Sequence, residues 1–249
     1  MGDKPTVVLV HGAFADASSW NGVIERLQAQ GHKVVAPPNP LRGVTSDSAY
    51  IASLTVQIGG PVLLVGHSYG GAVISNAGSH AANALGLVFV AAFAPDEGET
   101  LGAVAAGSKD AVLNSALVPR QFPVGSSGQT APELFVDREK FHEVFAADLP
   151  EKQAAIMAAT QRPVAAAAFS DVSGAPAWKM MPSWAVVALG DKAAGTDITR
   201  SMAQRAGAKI TELKGSHVIM VSQPQAVTGV ILDAVQSIMK QPAGAGARK

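Results

Sequence analysis

The sequence contains no cysteine. This absence excludes disulfide bonds, thiol nucleophiles and cysteine-ligated zinc, and it is compatible with a reducing or an oxidising compartment. The sequence also lacks an apolar run of about eighteen residues, so we expect no membrane span. Its N-terminus shows no charged segment followed by an apolar one, the pattern of a secretory signal. We therefore expect a cytoplasmic protein, although a signal removed during maturation would leave no trace.

An excess of charge is absent as well. The 19 basic residues (Lys and Arg) balance the 19 acidic residues (Asp and Glu), and no basic patch is visible, so we expect no nucleic-acid partner. A net charge of zero does not keep copies of the chain apart, which leaves a homodimer open. A chain of 249 residues that is 48% hydrophobic is long enough to bury a large core.

Short apolar runs alternate with segments of helix length. The run 62–65 is apolar throughout and lies between proline and glycine, which is typical of a buried parallel strand. The same reasoning predicts strands over 7–10, 33–36, 62–65, 87–91, 185–189 and 209–213, and helices over 18–30, 47–58 and 225–239. Strands that alternate with helices predict an α/β fold, a doubly wound and mostly parallel sheet.

This alternation stops between Pro95 and Pro182, where the sequence is rich in alanine and shows no strong strand. We interpret 95–182 as a helical cap inserted over the carboxyl edge of the sheet, where open α/β sheets bind ligands. A set of plain surface helices is the alternative. The α/β core would then comprise 1–94 and 183–240, and we expect the glycine- and alanine-rich tail 241–249 to be disordered.

The segment Gly66-His67-Ser68-Tyr69-Gly70 has the form G-x-S-x-G and lies between a predicted strand and a predicted helix. A serine on so sharp a turn needs small neighbours, and the turn lifts its hydroxyl above the end of the strand. The amino end of the following helix supplies free N–H groups that suit a developing negative charge. We predict Ser68 as a nucleophile, and a serine that only caps the helix is the alternative.

A serine nucleophile needs a base, and the base needs an acid. His217 lies in a loop after the last predicted strand. Where a nucleophilic serine lies on a strand-to-helix turn of this kind, the chain order is serine, then acid, then histidine. Asp191 follows the strand 185–189 with only Gly190 between them, and we predict that it orients His217. Asp197 is the competing acid, although a helix cap explains it better, and Asp171 in the insertion is a weaker third.

The segment His11-Gly12-Ala13-Phe14 follows the first predicted strand. Backbone N–H groups of Ala13 and Phe14, together with that of Tyr69, are candidates for an oxyanion hole. An apolar turn that packs Phe14 into the core is the alternative.

Several segments together resemble one group of proteins, namely 11–13 with Trp20, 66–71, 91–96, 190–192 and 216–217. They are similar to the small α/β-hydrolases related to plant methylesterases and hydroxynitrile lyases, and to their bacterial relatives. The similarity extends over nearly the whole chain and is weakest from about 101 to 177. It implies Ser68, Asp191 and His217 as a catalytic triad, the N–H groups of Ala13 and Tyr69 as the oxyanion hole, a helical cap over an apolar pocket, and no cofactor.

Two positions depart from the lyase pattern. Those lyases typically carry threonine where this chain has Gly12, and lysine directly after the catalytic histidine, where this chain has Val218. Without a cation beside His217, departing cyanide would lack its main stabilisation. We predict hydrolysis of a small-molecule carboxylic ester (esterase or lactonase type) without metal or cofactor. A carbon–carbon lyase like the hydroxynitrile lyases and a ligand-binding module on the same fold are the alternatives.

The residues that line the substrate pocket are harder to predict from the sequence than the catalytic residues. Phe93, Phe122, Phe135 and Trp178 are candidates for its lining, although each such aromatic residue is more often part of a core. Arg162 in the insertion is the one unusual cation, suited to a substrate carboxylate or to a surface ion pair.

Overall fold

A six-stranded parallel sheet forms the centre of the structure, a computed structural model that describes residues 4–126 and 128–240. The strand order is β2-β1-β3-β4-β8-β9, and a second sheet has the order β5-β6-β7. The strands are β1 Thr6–Val10, β2 Val34–Val35, β3 Val62–His67, β4 Ala84–Val90, β5 Leu117–Val124, β6 Gln129–Val136, β7 Val164–Ala165, β8 Ser183–Ala188 and β9 Lys209–Leu213.

Helices cover both faces of the six-stranded sheet. On β4, Gly86 lies against Ile238 of the last helix, whereas Leu87 lies against Gly78 of α3. Successive residues of a strand point to opposite faces, so these two helices lie on opposite sides. The helices are α1 Asn21–Ala29, α2 Val44–Gln57, α3 Tyr69–Gly78, α4 Leu101–Ala106, α5 Phe141–Phe145, α6 Glu151–Thr160, α7 Thr196–Arg205, α8 Ile219–Ser222 and α9 Pro224–Lys240.

The predicted doubly wound parallel sheet is confirmed. Every residue of β1, β3 and β8 is buried, because helices lie on both faces, whereas the edge strand β9 is partly exposed. Val10 of β1 pairs with Gly66 of β3, and His67 pairs with Val90 of β4. The carboxyl ends of these three strands therefore lie side by side, and the turns that follow them meet at one edge of the sheet.

The prediction of a purely helical insertion is wrong in one respect. The segment 95–182, called the cap segment below, contains α4, α5 and α6, but it also contains the antiparallel sheet β5-β6-β7. Strand β5 includes Pro119 and Pro123, and prolines in a sequence argue against a strand. Strand β5 tolerates them because it is an edge strand, which pairs with β6 on one side. Most of its side chains are exposed or half-buried, so it shows no apolar run.

The tail 241–249, which we expect to be disordered, lies outside the described residues. Within the described part of the chain, no helix combines the length and the apolar character that crossing a membrane requires.

Candidate active site

Ser68 lies in a tight turn between β3 and α3, as the G-x-S-x-G pattern predicts. Its backbone adopts φ 53° and ψ −123°, a conformation that costs a non-glycine residue about 1–3 kcal/mol. The turn closes only with small neighbours: a Cβ atom on Gly66 would lie 2.5 Å from the Gly70 carbonyl oxygen. A Cβ atom on Gly70 would lie 2.5 Å from the carbonyl oxygen of Val10. The packing of β1 against this turn thus maintains the strained serine.

His217 and Asp191 form a buried pair at the carboxyl ends of β9 and β8. His217 Nδ1 lies 2.8 Å from Asp191 Oδ2, and the two side chains are 1% and 0% exposed. The other carboxylate oxygen of Asp191 accepts the N–H groups of Ala193 and Ala194, each at 2.9 Å. A carboxylate only accepts hydrogen bonds, so Nδ1 carries the proton and Nε2 keeps its lone pair. This is the tautomer of a general base.

The competing aspartates lie elsewhere. Asp197 accepts the Ser108 hydroxyl at 2.6 Å and the Lys109 N–H at 2.7 Å. Asp171 lies against Gly43, where a Cβ atom would come within 2.6 Å of its carboxylate. Of the acids that the sequence left open, the structure brings Asp191 alone to His217.

Two further histidines support the turns around Ser68. The Nε2–H group of His67 donates to the carbonyl oxygen of His217 at 3.0 Å. His11 Nε2 accepts the Asn39 N–H at 2.9 Å, so its Nδ1–H group donates to the Gly12 carbonyl oxygen. Burial lowers the pKa of His11 to about 4 and holds that of His67 well below its usual value. Both rings are therefore neutral near pH 7 and serve to hold the backbone.

Of the three amides predicted for the oxyanion hole, those of Ala13 and Tyr69 remain candidates. The amides of Ala13 and Tyr69 donate to no acceptor among residues 4–126 and 128–240, and both residues line the cavity that contains Ser68. The prediction for Phe14 is wrong, because its N–H group donates to the Arg162 carbonyl oxygen at 3.0 Å. Phe14 instead contributes its ring to the cavity wall.

A cavity of about 200 Å³ opens above Ser68. Among the described residues no Asp, Glu, Lys or Arg lines it, and Asn114 is the polar side chain that the cap segment contributes. The lining consists of Ala13, Phe14, Ser68, Tyr69, Phe93, Gly102, Ala105, Ala111, Leu113, Asn114, Leu117, Leu134, Phe145, Ala166, Phe169, Ala193, Ala194 and His217. The cap segment thus forms more than half of the wall, and the wall is mainly apolar.

Of the aromatic residues predicted for the pocket, Phe93 lines this cavity. The other three do not, and each lies against a cation instead. The Phe122 ring lies 4.4 Å from the Arg42 guanidinium and the Phe135 ring 4.9 Å from that of Arg120. Trp178 lies 5.3 Å from the Lys179 ammonium, and its indole N–H donates to the Pro95 carbonyl oxygen.

The two positions that separate this chain from the lyase pattern both lie at the site. A Cβ atom on Gly12 would lie 2.7 Å from Ser68 Cβ and 2.9 Å from the His67 carbonyl oxygen, so the turn has no room for a side chain there. Val218 is fully buried and places an apolar group directly after His217.

Asp47, the first residue of the predicted helix 47–58, is a buried polar residue that the sequence patterns did not single out. The Asp47 side chain is fully buried and accepts the Tyr69 hydroxyl at 2.8 Å. A signal was available, because Asp47, Ile51 and Thr55 recur every four residues and so lie on one face of α2, and all three are buried. A polar residue in line with a buried isoleucine indicates a buried polar contact.

The chain is similar in sequence and in fold to known proteins. The putative chloroplastic methylesterase 11 of Arabidopsis thaliana is 26% identical over 253 aligned positions. The alignment covers 91% of this chain but only 63% of that relative's length. The crystal structure of polyneuridine aldehyde esterase superposes with a TM-score of 0.79 at 19% identity, covering 93% of this chain and 99% of the other.

A pyrethroid hydrolase from Sphingobium faniae JZ-2 superposes with a TM-score of 0.75 at 21% identity, covering 95% of this chain and 99% of that one. At such identities the two superpositions show a shared fold. The model of the alpha/beta hydrolase family matches residues 7–230, nearly the whole chain. With its parallel sheet and the serine turn after β3, the chain therefore belongs to the alpha/beta hydrolase family.

Proposed function

We propose that the protein is a serine esterase that hydrolyses a carboxylic ester through an acyl-enzyme on Ser68. The observation that carries this proposal is that His217, whose Nδ1 lies 2.8 Å from Asp191, lines the same cavity as Ser68. The free amides of Ala13 and Tyr69 line the same cavity, so the groups that acyl transfer needs share one space.

In the first half of the reaction, His217 Nε2 takes the hydroxyl proton of Ser68, and the serine oxygen attacks the ester carbonyl carbon. The amides of Ala13 and Tyr69 donate to the oxyanion that forms. The imidazolium, which Asp191 stabilises, then returns the proton to the leaving alcohol oxygen, and the acyl group stays on Ser68.

In the second half, a water molecule gives a proton to His217 and attacks the acyl carbon. The acid then leaves and Ser68 regains its proton. The balance is one ester and one water consumed, and one acid and one alcohol released. The related proteins named methylesterase, esterase and pyrethroid hydrolase support an ester as the substrate.

Hydrolysis is favoured over carbon–carbon cleavage by the surroundings of the triad. A lyase that expels cyanide needs a cation near the base to stabilise the anion. Here the residue after His217 is the buried Val218, and no Lys or Arg lines the cavity in the part of the chain that the structure describes. The apolar wall also favours a neutral substrate over one with a carboxylate, since burying an unpaired charge is costly.

The test is the release of p-nitrophenol from esters with short acyl chains. Ser68→Ala should lower kcat by at least about 10⁴-fold, because it removes the nucleophile. Ser53→Ala, an exposed serine on α2, is the matched control and should retain full activity. Wild-type protein that hydrolyses no member of an ester panel, or Ser68→Ala protein that matches the wild type, would contradict the proposal.

A further inference from the structure

A buried carboxyl group lies one side chain away from an amide of the oxyanion hole. Asp47 on α2 is fully buried, and Tyr69, the first residue of α3, donates its hydroxyl to Asp47 Oδ2 at 2.8 Å. Tyr69 is itself only 1% exposed, so its ring is confined as well. The backbone N–H of the same tyrosine is one of the two free donors beside Ser68. The phenol ring therefore connects Asp47 to the start of α3.

The other partners of Asp47 come from the segment that precedes α2 and from the first turn of α2 itself. The Arg42 N–H lies 3.1 and 3.3 Å from the two carboxylate oxygens, and the Ser46 hydroxyl lies 3.3 Å from Oδ1. All these partners are uncharged donors, and burial raises the pKa of the Asp47 carboxyl. A carboxyl group kept in so unfavourable a place indicates a role that an apolar side chain could not fill.

Through Arg42 the same carboxyl group reaches the cap segment. The Arg42 guanidinium lies 2.9 Å from Glu133 on β6 and 4.4 Å from the Phe122 ring on β5. Leu134, the neighbour of Glu133 on β6, lines the substrate cavity. Asp47 therefore accepts hydrogen bonds from the residue that carries the oxyanion amide and from the residue that contacts the cap hairpin, which is the antiparallel pair β5–β6.

We infer that Asp47 is a positioning residue for the oxyanion hole. Asp47 fixes the Tyr69 ring through the ring's hydroxyl, and it thereby fixes the start of α3 and the direction of the Tyr69 N–H. Through Arg42, Asp47 also fixes the position of the cap hairpin relative to that amide. This inference rests on the proposed esterase function.

The chain provides a matched pair of variants, since it has two tyrosines, Tyr50 and Tyr69. Tyr69→Phe removes the hydroxyl that Asp47 holds, whereas Tyr50→Phe removes one from an exposed residue of α2. Loss of a whole oxyanion donor lowers kcat by about 10²–10³-fold, and a misdirected donor should cost less. We expect Tyr69→Phe to lower kcat about tenfold with KM changed by less than about twofold, because the amide acts mainly in the transition state. Tyr50→Phe should match the wild type.

A second pair separates positioning from mere structural support. Asp47→Asn retains an oxygen that accepts the Tyr69 hydroxyl, so it should keep most of the wild-type kcat. Asp47→Ala retains none and should lose at least as much as Tyr69→Phe. Stoichiometric titration with a fluorophosphonate counts the active sites in each preparation, so kcat refers to folded enzyme even where a variant folds poorly.

Equal kcat for Tyr69→Phe and Tyr50→Phe would overturn the inference, as would equal losses in Asp47→Asn and Asp47→Ala. If Ser68→Ala is inactive in the same assays, either result leaves the proposed function intact. Ser68→Ala protein with wild-type activity would overturn the proposed function and this inference with it.

Discussion

Replacement of Asp191 by asparagine exchanges one atom in the pair that orients His217. In the wild-type protein, the Asp191 carboxylate accepts three N–H groups, one from the His217 ring and two from the backbone of Ala193 and Ala194. An asparagine offers one acceptor oxygen in place of two. If that oxygen stays with the two backbone donors, the new NH₂ group faces His217 Nδ1.

Facing an NH₂ group, Nδ1 must give up its proton and act as the acceptor, so Nε2 becomes protonated. In that tautomer the ring cannot take the proton of Ser68. If the amide turns over instead, the NH₂ group faces two backbone donors in a buried place, which costs about 1–3 kcal/mol. The first arrangement is thus favoured, and we expect a loss in kcat of about 10³–10⁴-fold, or about 4–5 kcal/mol in the barrier.

The assay is kcat for a short p-nitrophenyl ester at pH 7.5, with Asp197→Asn as the matched control. Asp197 accepts from Ser108 and Lys109, away from the His217 ring, so its variant should keep activity within about threefold. The reasoning is refuted if Asp191→Asn keeps more than about a tenth of the wild-type kcat, or if Asp197→Asn loses as much activity as Asp191→Asn.

Two further predictions concern the turns around the nucleophile. Gly12→Thr places a Cβ atom 2.7 Å from Ser68 Cβ, so the serine must move by several tenths of an ångström. We expect kcat for ester hydrolysis to fall at least about tenfold, and we expect no gain in cyanohydrin cleavage, which is measured by the release of cyanide. Full ester hydrolysis by this variant would show that the turn is not tight. Burial lowers the pKa of His11 from about 6.5 in the unfolded chain to about 4 in the folded one. The unfolded chain therefore binds the additional proton, and stability falls as pH drops through this range. Urea unfolding between pH 6.5 and 4.5 should show that His11→Gln reduces the pH dependence of the unfolding free energy by about 1 kcal/mol per pH unit, averaged over this range. An unchanged slope would contradict the assignment.

The central sheet could be predicted because burial on both faces leaves a direct mark on the sequence. The run that became β3 is apolar between Pro61 and Gly66, and the serine turn follows it at once. Asp191 and His217 could be placed at the carboxyl ends of later strands because those strands were predicted from their apolar runs in the same way. These features are local or repeat along the chain, so no knowledge of distant contacts was needed.

The cap segment could not be predicted in the same way. Strand β5 carries prolines and exposed polar residues, and its pairing with β6 decides its conformation. Three of the four aromatic candidates for the pocket failed for a related reason. The partner of Phe122, for example, is Arg42, 80 positions away, and no pattern in the sequence connects the two. The contact between Asp47 and Tyr69 is likewise tertiary, and only the four-residue spacing on α2 indicated it.

The central claim is that His217 and Asp191 activate Ser68 as a nucleophile. It is tested most directly by treating the protein with a fluorophosphonate and locating the adduct by peptide mass spectrometry. We predict a single adduct, on Ser68, that forms far more slowly in His217→Ala protein. An adduct on another residue, or continued ester hydrolysis by protein that takes up no label at Ser68, would contradict the account.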